Sequence, residues 1–166
     1  METDARRDDS YDPRSALADV AATRDALSAR LITPSWYHPV LGLNVALLVA
    51  LIGTVNRIPT AAFLGCAAAS LFVSTSLMRA YQKRTGLWVG PSEAGPRSRR
   101  VWMTYGAMVG VALVAAFVAG SNGHGWVVAL LAVMAFVGTV VLGRRIDGLL
   151  REEIRDGAAN LPGASL

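Results

Sequence analysis

Long apolar blocks alternate with short charged ones along this chain, and nowhere does a period of two persist. Four blocks hold no charged side chain: Pro39–Asn56, Ile58–Met78, Val101–Gly120 and Trp126–Gly143. Each is apolar on every side, unlike the one-sided stripe of a helix lying on a soluble core. A helix of roughly 17–25 residues crosses a hydrocarbon layer about 30 Å thick. All four blocks fall in that range, the first and fourth by borrowing flanking residues such as Trp36 and Tyr37, or Arg144. Barrel strands would alternate apolar and polar positions, which these do not. Helices satisfy every backbone group within the segment, as lipid demands. The pattern predicts an all-α integral membrane four-helix bundle spanning residues 34–143, with spans at about 39–56, 58–78, 101–120 and 126–143.

Shorter, mixed patterns flank the spans. Residues 15–33 read as a cytoplasmic amphipathic helix, with Leu17, Val20, Ala21, Arg24, Leu27 and Leu31 near one face and Asp19, Asp25 and Arg30 off it. Pro34 closes it. Trp36, Tyr37 and His38 then fall where aromatic residues favour the membrane interface. Residues 144–156 continue the fourth span as a cytoplasmic extension, with a narrow stripe of Ile146, Leu149, Leu150 and Ile154. In that extension Asp147 and Arg151 have the spacing of an i,i+4 pair, and Glu152 and Glu153 are expected on a solvated face. The two terminal helices lie on one side and can pack on each other. The tails, residues 1–14 and 157–166, are expected to be disordered.

Composition agrees with this reading. Hydrophobic residues are 53% of the chain and charged ones 17%, against about 25% charged in ordinary soluble domains. Such a balance excludes a disordered chain, a collagen-like chain and a charged nucleic-acid-binding tail. The net charge of +4 gains meaning only from its placement. Four spans put 15 of the 16 Lys and Arg residues on one side, leaving Arg57 alone on the other. Cytoplasmic flanks carry such an excess, so both termini are expected in the cytoplasm of a multi-pass protein of the cell membrane. The outer connections, at Asn56–Arg57 and Ser121–Gly125, are too short to fold into a domain. The polar, acidic start of the chain is unlike a cleavable signal peptide, and the first span is expected to act as a retained anchor.

The middle connection, Arg79–Arg100, carries six basic residues and one acidic residue, Glu93, with Trp88 placed to dip into the interface. Topological anchoring explains those charges, a specific lipid-headgroup or regulatory site being the alternative, and no nucleic-acid-binding motif accompanies them. Small residues at four-residue spacing allow helices to approach closely. Gly106 and Gly110 in the third span, and Ala61, Gly65 and Ala69 in the second, are the packing candidates, within one bundle or at a homodimer seam. Asn44, Ser70 and Ser74 are the candidate polar groups inside the membrane.

Chemistry is sparse. No Asp, Glu, Lys, Arg or His lies within a span, which argues against proton-coupled export and charged-substrate sites. Cys66 is the only cysteine, so the chain has no internal disulfide, redox pair or thiolate metal site. His38 and His124 fall on opposite sides of the membrane and are expected to be interfacial polar residues. No catalytic residue, metal site or cofactor is expected.

Two stretches, TPSWYHPVLGL before and into the first span and RAYQKRTGLWVG after the second, resemble uncharacterised small four-helix membrane proteins of high-GC actinobacteria. The resemblance implies four helices and no assigned activity, and it carries over no site residue. The expected role is that of a non-enzymatic accessory, scaffold or regulatory subunit working through its cytoplasmic segments. Its partners would be the bilayer and a second copy or another membrane or cytoplasmic protein. The alternative is a small oligomeric transporter, flippase or channel subunit for a neutral or lipidic substrate.

Overall fold

The computed structural model describes residues 13–30, 33–85 and 94–156. They form five helices in chain order: α1 (Pro13–Arg30), α2 (Tyr37–Gly53), α3 (Thr60–Thr85), α4 (Pro96–Ser121) and α5 (Gly125–Arg155). A single 3-10 turn, Val55–Arg57, joins α2 to α3, and no strand occurs among the described residues. Three helices are long and apolar enough to cross a membrane, along Thr60–Lys83, Pro96–Ser121 and Gly125–Arg155. The fourth apolar helix, α2, has 17 residues and a length of about 25 Å. The exteriors of α3 and α4 are apolar, with Leu71 69%, Phe72 72% and Val111 69% exposed. An exterior of this kind suits lipid, whereas in water it would be an adhesive surface.

The buried core belongs to three helices. Val45 and Val49 of α2, Ala112 and Ala116 of α4, and Val128 and Ala135 of α5 form one contiguous apolar cluster. Helix α3 lies against α2 on the outside of this core. Cross-helix contacts fix the directions. Tyr37 of α2 meets Tyr81 of α3, and His38 of α2 meets Asp147 of α5, so α2 runs antiparallel to both. Gly53 and Gly120, at the C-terminal ends of α2 and α4, touch, so those two run parallel.

Close packing uses different small residues from the expected ones. A Cβ added to Gly65, Gly106 or Gly110 would meet nothing, and Ala61 and Ala69 are exposed. The seam in use on α4 is Ala112, Ala116 and Gly120, one series of the same four-residue spacing on another face. At its end the Gly120 backbone lies directly on the Gly53 carbonyl, an approach that leaves no room for a side chain on either helix.

The end of the bundle beyond Gly53 and Gly120 is tied by short bonds. The Asn56 amide donates to the Ser121 hydroxyl at 3.0 Å, joining one turn to the other. Gly123 adopts φ +83°, the left-handed conformation that glycine reaches without strain, and lets the chain reverse from α4 into α5. At the opposite end, α1 lies beside α5 with an exposed Arg155–Asp25 ion pair at 3.1 Å. The helix expected at 15–33 thus begins two residues earlier and has ended by Thr33. Leu17 and Val20, expected on its apolar face, are exposed. Residues 1–12, 31–32, 86–93 and 157–166, which include both expected tails and Trp88, lie outside the described residues.

Two substitutions separate the seam in use from the open one. Gly120→Ala is expected to lower stability by about 1–3 kcal/mol, because the added methyl meets backbone that cannot rotate away. Gly106→Ala, facing open space, is expected to be neutral or stabilising by up to about 1 kcal/mol. Unfolding in mixed detergent, followed by circular dichroism, measures both.

Candidate functional site

Helix α5 is uninterrupted for 31 residues, so its last three turns extend the fourth apolar block and hold polar side chains at fixed heights. Asp147 is the first carboxylate among them. Its Oδ2 lies 2.8 Å from Nε2 of His38 at the start of α2, with the two side chains 17% and 8% exposed. The ring reaches this place because position 143 is glycine; a Cβ there would collide with the imidazole. His38 is therefore a buried group, where an interfacial one was expected. Asp147 bonds across the bundle, where a pair with Arg151 on its own helix was expected.

Around this pair the helix ends enclose a cavity of about 60 Å³, room for on the order of four waters. Tyr37 and His38 come from α2, Tyr81 from α3, Trp102 and Tyr105 from α4, and Thr139, Gly143 and Asp147 from α5, with Leu41, Ile146 and Leu150 completing the lining. The rings of Tyr37 and Tyr81 lie 5.1 Å apart and those of Trp102 and Tyr105 6.2 Å apart. The Thr139 hydroxyl is spent on the Ala135 carbonyl, at 2.7 Å. Two buried atoms of the lining residues, His38 Nδ1 and Trp102 Nε1, have no hydrogen-bond partner among the described residues.

One and a half turns further along α5, Glu153 is 3% exposed. This corrects the solvated position expected for it, while Glu152 beside it is exposed. Helix α4 opens on Gly95 and Pro96 and has no capping side chain of its own. The Glu153 carboxylate supplies one from outside: Oε1 accepts the backbone N–H of Arg97 at 2.7 Å and of Ser98 at 3.2 Å, and Oε2 accepts the Ser98 hydroxyl. A carboxylate at a helix N-terminus is doubly favoured, by orphan N–H donors and by the helix dipole. Ala94, Ile146 and Leu150 pack beneath it with Val101 and Trp102.

The second polar cluster is the one expected inside the membrane, and the structure brings its three residues together. Asn44 donates to the Ser74 hydroxyl at 2.9 Å, and the Ser70 hydroxyl donates to the Asn44 carbonyl oxygen at 3.1 Å. This cluster holds α3 to α2 and closes one end of a groove of about 420 Å³ between them, lined by Leu47, Leu51, Cys66, Ala69 and Val73.

Sequence reasoning named Asn44, Ser70 and Ser74 and missed the His38–Asp147 pair and Glu153. The signal for Glu153 was present: a helix starting at Gly95–Pro96 without its own cap needs an acceptor from elsewhere. Among the described residues no group of three or more His, Cys, Asp or Glu side chains is placed to hold a metal ion. No family model matches this chain, and neither curated proteins nor solved structures gave a match.

Glu153→Ala is expected to cost about 1–3 kcal/mol, because it strands buried N–H groups at the start of α4. Glu152→Ala, at its exposed neighbour, is expected to change stability by less than about 0.5 kcal/mol. Equal effects in a detergent unfolding assay would contradict the capping role.

Proposed function

We propose that the chain is a four-span protein of the cell membrane with both termini in the cytoplasm, working as a non-enzymatic accessory, scaffold or regulatory subunit through its cytoplasmic end. The observation that carries this reading is that α5 gathers the other elements at that end. Asp147 meets the start of α2, Glu153 meets the start of α4, and Arg155 meets α1. A force or partner acting on one of these elements is thereby felt by the membrane helices. The 15-to-1 division of basic residues supports the orientation. The antiparallel packing of α2 on α3 and α5 supports counting α2 as the fourth crossing, its length extended by Thr54–Arg57. The bilayer, a second copy or another membrane or cytoplasmic protein is the partner this role requires, and nucleic acid is not.

The role predicts that the intact chain, extracted from its own membranes in mild detergent, retains one specific protein that is lost when residues 1–32 are deleted. The orientation predicts that Asn122→Cys, on a Cys66→Ser background, reacts with an impermeant maleimide in intact cells, while Glu152→Cys reacts only after permeabilisation. Absence of a specific partner, or the reverse labelling, would overturn the reading.

The polar cluster at the α2–α3 groove favours a second reading, an oligomeric transporter, flippase or channel subunit for a neutral or lipidic substrate. Asn44→Ala would then reduce flux or lipid scrambling in proteoliposomes by about threefold or more, from loss of cross-helix hydrogen bonds of about 0.6 kcal/mol each. Activity no greater than in empty vesicles would count against it.

A further inference from the structure

Four aromatic rings and a carboxylate with an unused oxygen meet in the cavity at the inner end of the bundle, and two of its lining residues bury polar atoms without a partner among the described residues. The rings form two pairs on different helices, Tyr37 with Tyr81 and Trp102 with Tyr105. One oxygen of Asp147 holds His38 Nε2 at 2.8 Å, and the other has no hydrogen bond among the described residues. His38 Nδ1 is buried against Gly143, with no hydrogen-bond partner among the described residues. The Asp147 carboxylate thus brings a negative charge with one oxygen left for a further partner. Asp147 is 17% exposed, so water compensates that charge only in part. Arg151, one turn along α5 and near Tyr81, is exposed and does not line the cavity.

We propose that this cavity binds a small organic ammonium group of the trimethylammonium type, with Asp147 as its counter-charge and the tyrosine and tryptophan rings as its walls. Aromatic faces attract a cation through the ring quadrupole, and they suit one whose charge is spread under an apolar skin. A small inorganic cation needs several oxygen ligands in place of its water shell, which a mostly aromatic lining does not provide. The cavity opens at the helix ends, so the same group can arrive as a free molecule or as a phospholipid headgroup. The site is independent of the subunit role proposed above.

Calorimetric titration of the full-length chain in maltoside detergent with choline, and with the neutral tert-butyl analogue of choline, tests the site. Saturable binding of choline and none of the analogue is the expected result. Asp147→Asn and Trp102→Leu are expected to weaken it about tenfold or more, through loss of the counter-charge and of one wall. Because Asp147→Asn also loosens His38, Tyr81→Leu serves as an additional variant, with circular dichroism checking that each folds. The second arm compares thermal unfolding in nanodiscs of phosphatidylcholine and of phosphatidylglycerol. Stabilisation by phosphatidylcholine that Asp147→Asn and Tyr81→Leu abolish, without binding of free choline, identifies the headgroup as the source. Equal binding of the neutral analogue, undiminished binding by folded variants, or no response in either arm overturns the proposal.

Discussion

An unbroken α5 is the constraint on which the end of the bundle beside α1 depends. A helix fixes its side chains by rise and rotation, so Asp147 and Glu153, six residues apart, stand about 9 Å apart along the axis and point to different neighbours. One carboxylate takes the imidazole of α2, the other the bare amino end of α4. Neither could reach its partner if α5 kinked where the apolar block ends. Two glycines complete the arrangement, Gly95 before α4 leaving room for the carboxylate and Gly143 on α5 itself leaving room for the ring.

The fold rests on two unlike kinds of adhesion. Within the core, α2, α4 and α5 approach through Val45, Val49, Ala112, Ala116 and Ala135, where close packing is the main source of attraction because lipid is as apolar as the side chains. Helix α3 is held differently, by the Asn44–Ser70–Ser74 bonds near its middle and the Tyr37–Tyr81 contact near its end. Hydrogen bonds in an apolar layer have no water competing for them, which lets a few polar residues stand in for an extended interface.

The helical architecture was legible because apolar blocks without charge leave few other folds open. Helix ends and the core seam were less so. The four-residue spacing of small residues occurs on two faces of α4, and only the partner decides between Gly106–Gly110 and Ala112–Ala116–Gly120. The Asn44–Ser70–Ser74 cluster was readable because polar groups in an apolar segment need partners. The His38–Asp147 pair was not, since the two residues are separated by 109 positions and each falls just outside a block, where it reads as ordinary interface. Glu153 was misplaced for a related reason: adjacency to Glu152 says nothing about which of the two faces inward.

Helices α3 and α4 separate α2 from α5 in the chain, yet α2 and α5 pack on each other. A ribosome delivers the chain from its amino end, so the α2–α3 hairpin is made before the rest of the core exists. His38 and the Gly42–Gly53 face of α2 then wait without their partners until α5 emerges. Completion of the core therefore waits for α5, and a product truncated before Asp147 would lack both the partner of His38 and the cap of α4.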